Sequence, residues 1–241
     1  MMQICRKALP AIALALVVPA LAAAEDLTLV SKMTSGKGLS TTSTQYLSAS
    51  KVRTGDGDMD TIMDFGSGKL VMVNNKKKEY SETTLEEIRA AMQKLEASMA
   101  GNPMMEKMMG AVGDVTVQKG NAPRKIAGYD TEHYIITMGE NFREEIWAAP
   151  ALTPPMQYFD ARNAMYVAMG PMGKRFQKIG DEMRKIKGFP LATTTSMKMM
   201  MVKQDTISEV TEVRKGPIPA SAFEVPADYK KVEAPFQKMR K

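Results

Sequence analysis

The sequence predicts an α+β domain: an antiparallel sheet with helices inserted in two places and covering one of its faces. Three observations lead there. Short strand-like runs rich in Thr, Val, Leu and Met alternate with tight turn signals through the first half of the chain. A capped amphipathic helix then interrupts them, and a second series of strands encloses two further helical stripes. Turns of two to five residues between strands favour hairpins over parallel crossovers, and helices beside such a sheet must bury their apolar stripe on one of its faces.

The strands of the first half are Leu27 to Met33, Ser40 to Leu47, Lys51 to Thr54, Thr61 to Phe65 and Leu70 to Val73, with a short one at Glu79 to Glu82. Ser35-Gly36, Gly55-Asp56-Gly57-Asp58, Gly66-Ser67-Gly68 and Asn74-Asn75 punctuate them, since these residues accept the backbone angles of tight turns. Thr84 and Glu87 have the spacing of a capping box. Behind them Leu85, Ile88, Met92, Leu95 and Met99 recur at helical steps and form one apolar face. Gly101-Asn102-Pro103 ends the pattern, and Met104, Met105, Met108 and Met109 make a short methionine-rich segment.

In the second half, Val115 to Lys119, Arg124 to Met138 and Phe142 to Ala148 read as strands. One helix begins near Pro154; another carries Phe176, Ile179, Met183 and Ile186 and ends at Gly188. Leu191 to Val202 and Thr206 to Arg214 return to strand, and the tail after Phe223 reads as short and irregular.

Export is the clearest functional signal. Arg6 and Lys7 precede an apolar run from Ala8 to Leu21, and Ala22-Ala23-Ala24 supplies the small residues a signal peptidase needs. Cleavage is expected after Ala24, giving a mature domain over 25–241. The run falls short of the ~20 apolar residues of a membrane-spanning helix, so no stable membrane anchor is expected after cleavage. The single cysteine, Cys5, leaves with the leader. No disulfide, thiolate metal site or thiol nucleophile is then available, and a chain of this length buries enough core without them. Periplasm is the expected address, with secretion the alternative.

The formal charge of +6 falls to +4 once Arg6 and Lys7 are removed. The one dense basic run, Lys76-Lys77-Lys78, lies beside Asn74-Asn75 and reads as a turn. Aromatic residues are sparse and not interleaved with it, which argues against nucleic-acid binding. His133 is the lone histidine, so it excludes His-rich zinc sites and reads as structural or surface. No nucleophile elbow or phosphate loop occurs. Asp56, Asp58 and Asp60 begin like a calcium loop, but the glutamate that should close it is missing, so a hairpin turn is the better reading. Glu144 and Glu145 alternate across a strand and cannot form one acid–base pair.

The segment Lys125-Ile126-Ala127-Gly128-Tyr129, the strand Glu145-Ile146-Trp147, Gly188-Phe189-Pro190-Leu191, Ile218-Pro219 and Phe223-Glu224-Val225-Pro226-Ala227-Asp228-Tyr229 occur in that order. Together they resemble the bacterial exported family catalogued as domain of unknown function 4412, which is similar in architecture to the periplasmic lipoprotein carriers LolA and LolB. The resemblance covers Lys125 to Lys231 well and the N-terminal meander only in style. Asp130 and Thr131 stand where many relatives carry a cysteine. The resemblance implies an incomplete β-barrel with helices packed on its concave face, and transfers no catalytic residue and no cofactor.

Methionine is the unusual feature: 23 occur, and 21 remain beyond Met1 and Met2. Flexible thioethers suit plain core packing, an adaptable apolar cavity, or Cu(I) coordination. Met197, Met199 and Met201 share one face of their strand, with no histidine near them. The expected function is non-catalytic: a binding or carrier-like protein accepting an acyl chain or lipidated segment. The alternatives are a methionine-based Cu(I) protein and a structural envelope protein without ligand. The expected cavity is lined by Met63, Phe65, Met72, Met197 and Met199 from the sheet, by Ile88, Met92 and Leu95 from the first helix, and by Phe176, Ile179 and Met183 from the last.

Overall fold

The computed structural model describes residues 25–36, 38–99, 114–168, 170–199 and 202–235. Among them the chain forms one large curved, unclosed sheet with three helices. The strands are β1 (Leu27–Ser35), β2 (Ser40–Leu47), β3 (Lys51–Gly55), β4 (Met59–Asp64), β5 (Lys69–Asn74), β6 (Glu79–Thr84), β7 (Val115–Lys119), β8 (Lys125–Ile126), β9 (Tyr129–Asp130), β10 (Glu132–Met138), β11 (Phe142–Ala149), β12 (Phe189–Met199), β13 (Val202–Lys215) and β14 (Lys230–Lys231). The helices are α1 (Leu85–Met99), α2 (Met156–Ala168) and α3 (Gly170–Met183).

Twelve strands pair in the order β14-β6-β5-β4-β3-β2-β1-β13-β12-β11-β10-β7. Pairing is antiparallel throughout except β14 on β6. The long strand β13 returns to β1 and joins the two halves into one surface.

Local chemistry sets the hairpins. Asn74 Oδ1 accepts the Lys77 backbone N–H at 2.9 Å, closing the lysine-rich turn. Asp56 Oδ1 accepts from the backbone N–H groups of Asp58 and Met59 at 3.0 and 2.9 Å. At the start of α1 the capping box is complete. Glu87 Oε2 accepts the Thr84 N–H at 3.1 Å, and Thr84 Oγ1 accepts the Glu87 N–H at 3.2 Å.

The expected strand from Arg124 to Met138 is broken. Ala127 (φ 46°) and Gly128 (φ 86°) are both left-handed and fold Lys125–Asp130 into the tight hairpin β8–β9 before β10 begins. A local pair of positive φ angles overrides strand-like composition. The last helix stops at Met183, short of Gly188, and the chain leaves it through the tighter bonds Lys185 N–H to Glu182 O and Ile186 N–H to Met183 O. Gly188 (φ 91°) lies against Ala149, where a Cβ would sit 2.0 Å from the carbonyl oxygen. The tail carries more order than its composition suggests: a 3₁₀ turn, Ala220–Phe223, and then β14.

Cross-strand partners share a face, so the two sides of the sheet can be followed strand by strand. One side carries Leu27, Leu29, Leu47, Met63, Leu70, Ile136 and Ile146, and the helices pack there. The N-terminal strands meet α2 through Ala161 and Met165, and the C-terminal strands meet α3 through Ile179 and Met183. On the other side Ile62, Val71 and Val73 are covered by the tail residues Phe223, Val225 and Tyr229.

Candidate functional site

A band of polar residues crosses the middle of the helix-bearing face. Ser31 and Gln45 follow the leucines of β1 and β2, and Ser208 and Thr193 oppose each other on β13 and β12. Glu144 lies opposite Thr195 on β11 and β12. Above this band α2 presents Tyr158 and Arg162, and α3 presents Met183. Sheet and helices do not close against each other here. They leave a cavity of about 170 Å³ with walls of Leu29, Phe189, Leu191 and Val210.

Two ionisable residues reach this cavity and, among the described residues, form no ion pair with each other. The Arg162 guanidinium donates from Nε to Tyr166 Oη at 3.2 Å and from Nη2 to Met183 Sδ at 2.8 Å, and lies 5.9 Å from the Tyr166 ring centroid. Among the described residues it forms no ion pair. Glu144 accepts a long bond, 3.4 Å, from Thr195 Oγ1. Burial pushes its carboxyl above the usual range, against the opposing pull of the Arg162 charge and the Thr195 hydroxyl. One residue later α2 holds a second polar defect. Asn163 Oδ1 is, among the described residues, the one buried side-chain oxygen or nitrogen without a hydrogen-bond partner.

Glu145, the next residue along β11, faces the other way and behaves oppositely. Arg143 donates to its Oε1 from Nη2 at 2.9 Å and from Nε at 3.2 Å. His133 Nε2 lies 3.0 Å from its Oε2. Hydrogen bonding, from Arg143 first, holds this carboxyl below its ordinary value despite partial burial. His133 is itself buried and stacked on Trp147. The three aspartates of the β3–β4 turn are separately engaged: Asp56 by backbone N–H groups, Asp58 by Lys76 at 2.6 Å and Asp60 by Arg53 at 2.6 Å. Among the described residues no three His, Cys, Asp or Glu side chains are grouped as metal ligands.

The residues expected to line a cavity fall into two packed groups on either side of this one. Met63 and Phe65 pack with Val52, Leu70, Leu85, Ala161 and Met165. Ile179, Met183 and Met197 join Ile136, Phe142 and Ile146. Met72 shares the face of Leu70, half-buried between Thr61 and Ser81. On α1, Ile88 is buried while Met92 and Leu95 are half-buried. The side chains of Phe176 and Met199 lie outside the described residues, as do Met104 to Met109 and Met201. Of the expected set, among the described residues, Met183 alone lines the cavity. Arg162 and Glu144 were not anticipated. Tyr158, Arg162 and Tyr166 sit four residues apart on one helix, and an arginine between two tyrosines on one face is the sequence signal for the site.

A family model described as "Domain of unknown function (DUF4412)" matches residues 28–229. The chain belongs to that family. The match carries the DUF4412 assignment through the N-terminal meander, where the motifs resembled the family only in style. No curated protein matches the chain. Among solved structures, "Crystal structure of MucB" is 11% identical, with a TM-score of 0.36, covering 86% of this chain and 59% of that one. "Crystal structure of MucB in complex with MucA(peri)" is 10% identical, with a TM-score of 0.37, covering 86% and 57%. The MucA/MucB complex of Pseudomonas aeruginosa is 8% identical, with a TM-score of 0.37, covering 86% and 58%. The chain thus spans less than two thirds of the length of each. No helix among the described residues is long and apolar enough to cross a membrane.

Proposed function

We propose that this DUF4412 protein is a non-catalytic binding or carrier protein of the bacterial envelope, holding an acyl chain or lipidated segment between its helices and the concave side of its sheet. The observation that carries this reading is the cavity between α2–α3 and the sheet. Protein interiors are close-packed, with few voids larger than a water molecule, and ligand sites combine apolar walls with a few convergent polar groups. Leu29, Phe189, Leu191 and Val210 supply the walls, and Glu144 and Arg162 the polar groups.

At about 170 Å³ the cavity is smaller than the ~300–1,000 Å³ of a formed ligand site. Binding an acyl chain therefore requires α2 to lift. Its attachment suits that movement, because its buried residues are the small Ala161 and Ala168, which contribute little apolar area. Met183, in the cavity wall, repacks at little rotamer cost. Burying eight methylenes yields about 6 kcal/mol, which corresponds to a Kd of about 40 µM before ordering costs. A non-catalytic role also fits a lone histidine buried against Trp147 on the sheet face opposite the cavity, and the expected removal of Cys5 with the leader.

The reading includes export, with cleavage after Ala24 and release to the periplasm. Expressed with its leader in a Gram-negative host, the protein should appear in the osmotic-shock fraction with Glu25 at its N-terminus; an uncleaved, membrane-retained chain overturns this part. The mature protein should bind a fluorescent fatty acid saturably. Absence of binding, together with no copurifying lipid by native mass spectrometry, leaves a structural envelope protein.

A further inference from the structure

We infer that Arg162 and Glu144 form a head-group subsite within this cavity, at which the guanidinium grips an oxyanion, a carboxylate or a phosphate, at the end of an amphiphilic ligand. This rests on the carrier reading and names the part of the ligand the apolar walls do not explain.

The case begins with what Arg162 lacks. A guanidinium carries five N–H donors in a rigid fork and stays charged at any pH the protein meets. Enclosing such a charge is costly unless it is paired and its donors are satisfied. Here the partners are a tyrosine hydroxyl and a thioether, Tyr166 and Met183, which are weak acceptors and carry no charge. Both hold the guanidinium from the helix side, by Nε and Nη2, while the residue as a whole lines the cavity. That leaves three of its five N–H donors, two on Nη1 and one on Nη2, without a partner among the described residues, enough for bidentate recognition of a two-oxygen anion.

Glu144 defines the other limit of the subsite. It lines the same cavity from the sheet and does not close an ion pair with Arg162. An ionised glutamate there would neutralise the arginine and repel an anion. Burial, the first cause, pushes its carboxyl upward, which lessens that repulsion. The surrounding Ser31, Gln45, Thr193 and Ser208 offer neutral hydrogen bonds. Among the described residues that line the cavity Arg162 is the one cation, and the chemistry it selects is anionic.

The test compares three ten-carbon probes that differ in the head, decanoate, decyl phosphate and decanol, titrated calorimetrically into the mature protein. At least one anion should bind about 10-fold more tightly than decanol, and Arg162→Met should weaken that anion by about 10- to 100-fold, the range for a charged hydrogen bond in an enclosed site. Decanol binding should not change. The better of the two anions identifies the source of the head group. If Arg162→Met does not fold, Arg162→Lys keeps the charge but loses the fork, and should weaken the anion alone by several-fold. Equal binding of all three probes, unmoved by either variant, overturns the subsite and leaves the carrier reading standing, with a hydrated structural arginine. Binding of none of the probes removes the carrier reading and the subsite with it.

Discussion

His133 lies flat on Trp147, the ring centroids 4.7 Å apart and the planes 9° from parallel. The Arg124 guanidinium sits 4.1 Å from the centroid of the same indole, and Trp147 Nε1 donates to the Ala122 carbonyl at 2.8 Å. The buried imidazole lies so close to β7's end that a Cβ on Gly120 would fall 2.0 Å from His133 Nδ1. Gly120→Ala should therefore destabilise the protein by about 1–3 kcal/mol through overpacking. Gly66→Ala, whose Cβ would meet nothing closer than 3.6 Å, is the control and should change stability far less. Trp147 is the only tryptophan, so urea unfolding followed by its emission measures both variants at the site concerned.

Glu144 predicts a pH dependence of stability. Its carboxyl is raised above the unfolded value by burial, so the native state keeps a proton that the unfolded chain has released. Stability contributed by this group is therefore present at low pH and lost as pH rises from the usual carboxylate range to the raised value. Glu144→Gln should abolish that decline. The difference between wild-type and variant unfolding free energies, measured from about pH 4 to about pH 8, isolates it from carboxylates such as Glu145 that shift the other way.

The capping box of α1 makes a smaller, local prediction. Thr84→Ala removes the acceptor of the Glu87 N–H and should cost about 1 kcal/mol. Thr84→Ser should retain most of it. Denaturant midpoints at unchanged slope distinguish loss of a cap from a wider rearrangement.

Arg53 ties the start of the tail to the sheet. Arg53 donates from Nη1 to the Ala222 carbonyl at 2.9 Å and from Nη2 to buried Asp60 at 2.6 Å. Arg53→Met should cost about 3 kcal/mol, largely because Asp60 is left without its cation. It should also loosen the segment over β5 and β6. Hydrogen exchange is expected to accelerate at the Lys230 and Val232 amides, which donate to Lys78 and Tyr80, and to remain unchanged in β10 and β11. Uniform acceleration across the sheet would show that the tail has no separate anchorage.

Much of this molecule is written locally. Thr84 and Glu87 meet because they are three residues apart on one helix turn, and Asn74 and Asp56 close turns with backbone groups beside them in sequence. Those devices need no distant partner, so spacing and residue type suffice to place the hairpins and α1. The left-handed pair Ala127–Gly128 is also local, and Gly128 is its turn signal within a run whose other residues read as strand.

What only the tertiary structure decided is which side chains share an enclosed space. Ser31, Glu144, Arg162, Thr193 and Ser208 come from five elements, and the register between strands determines that they meet. One bulge shows how finely this is set. Between Val30 and Ser31 the β1–β13 register slips by a residue, so Ser31 opposes Val210 in place of Thr211. Because side chains alternate with period two, an unbulged ladder would turn Val210 and Ser208 to the opposite face and take them out of the cavity. The composition and spacing of this chain determined most of its strands, its capped helix and its family. The cavity was decided by long-range pairing, in which a single extra residue changes the face of everything beyond it.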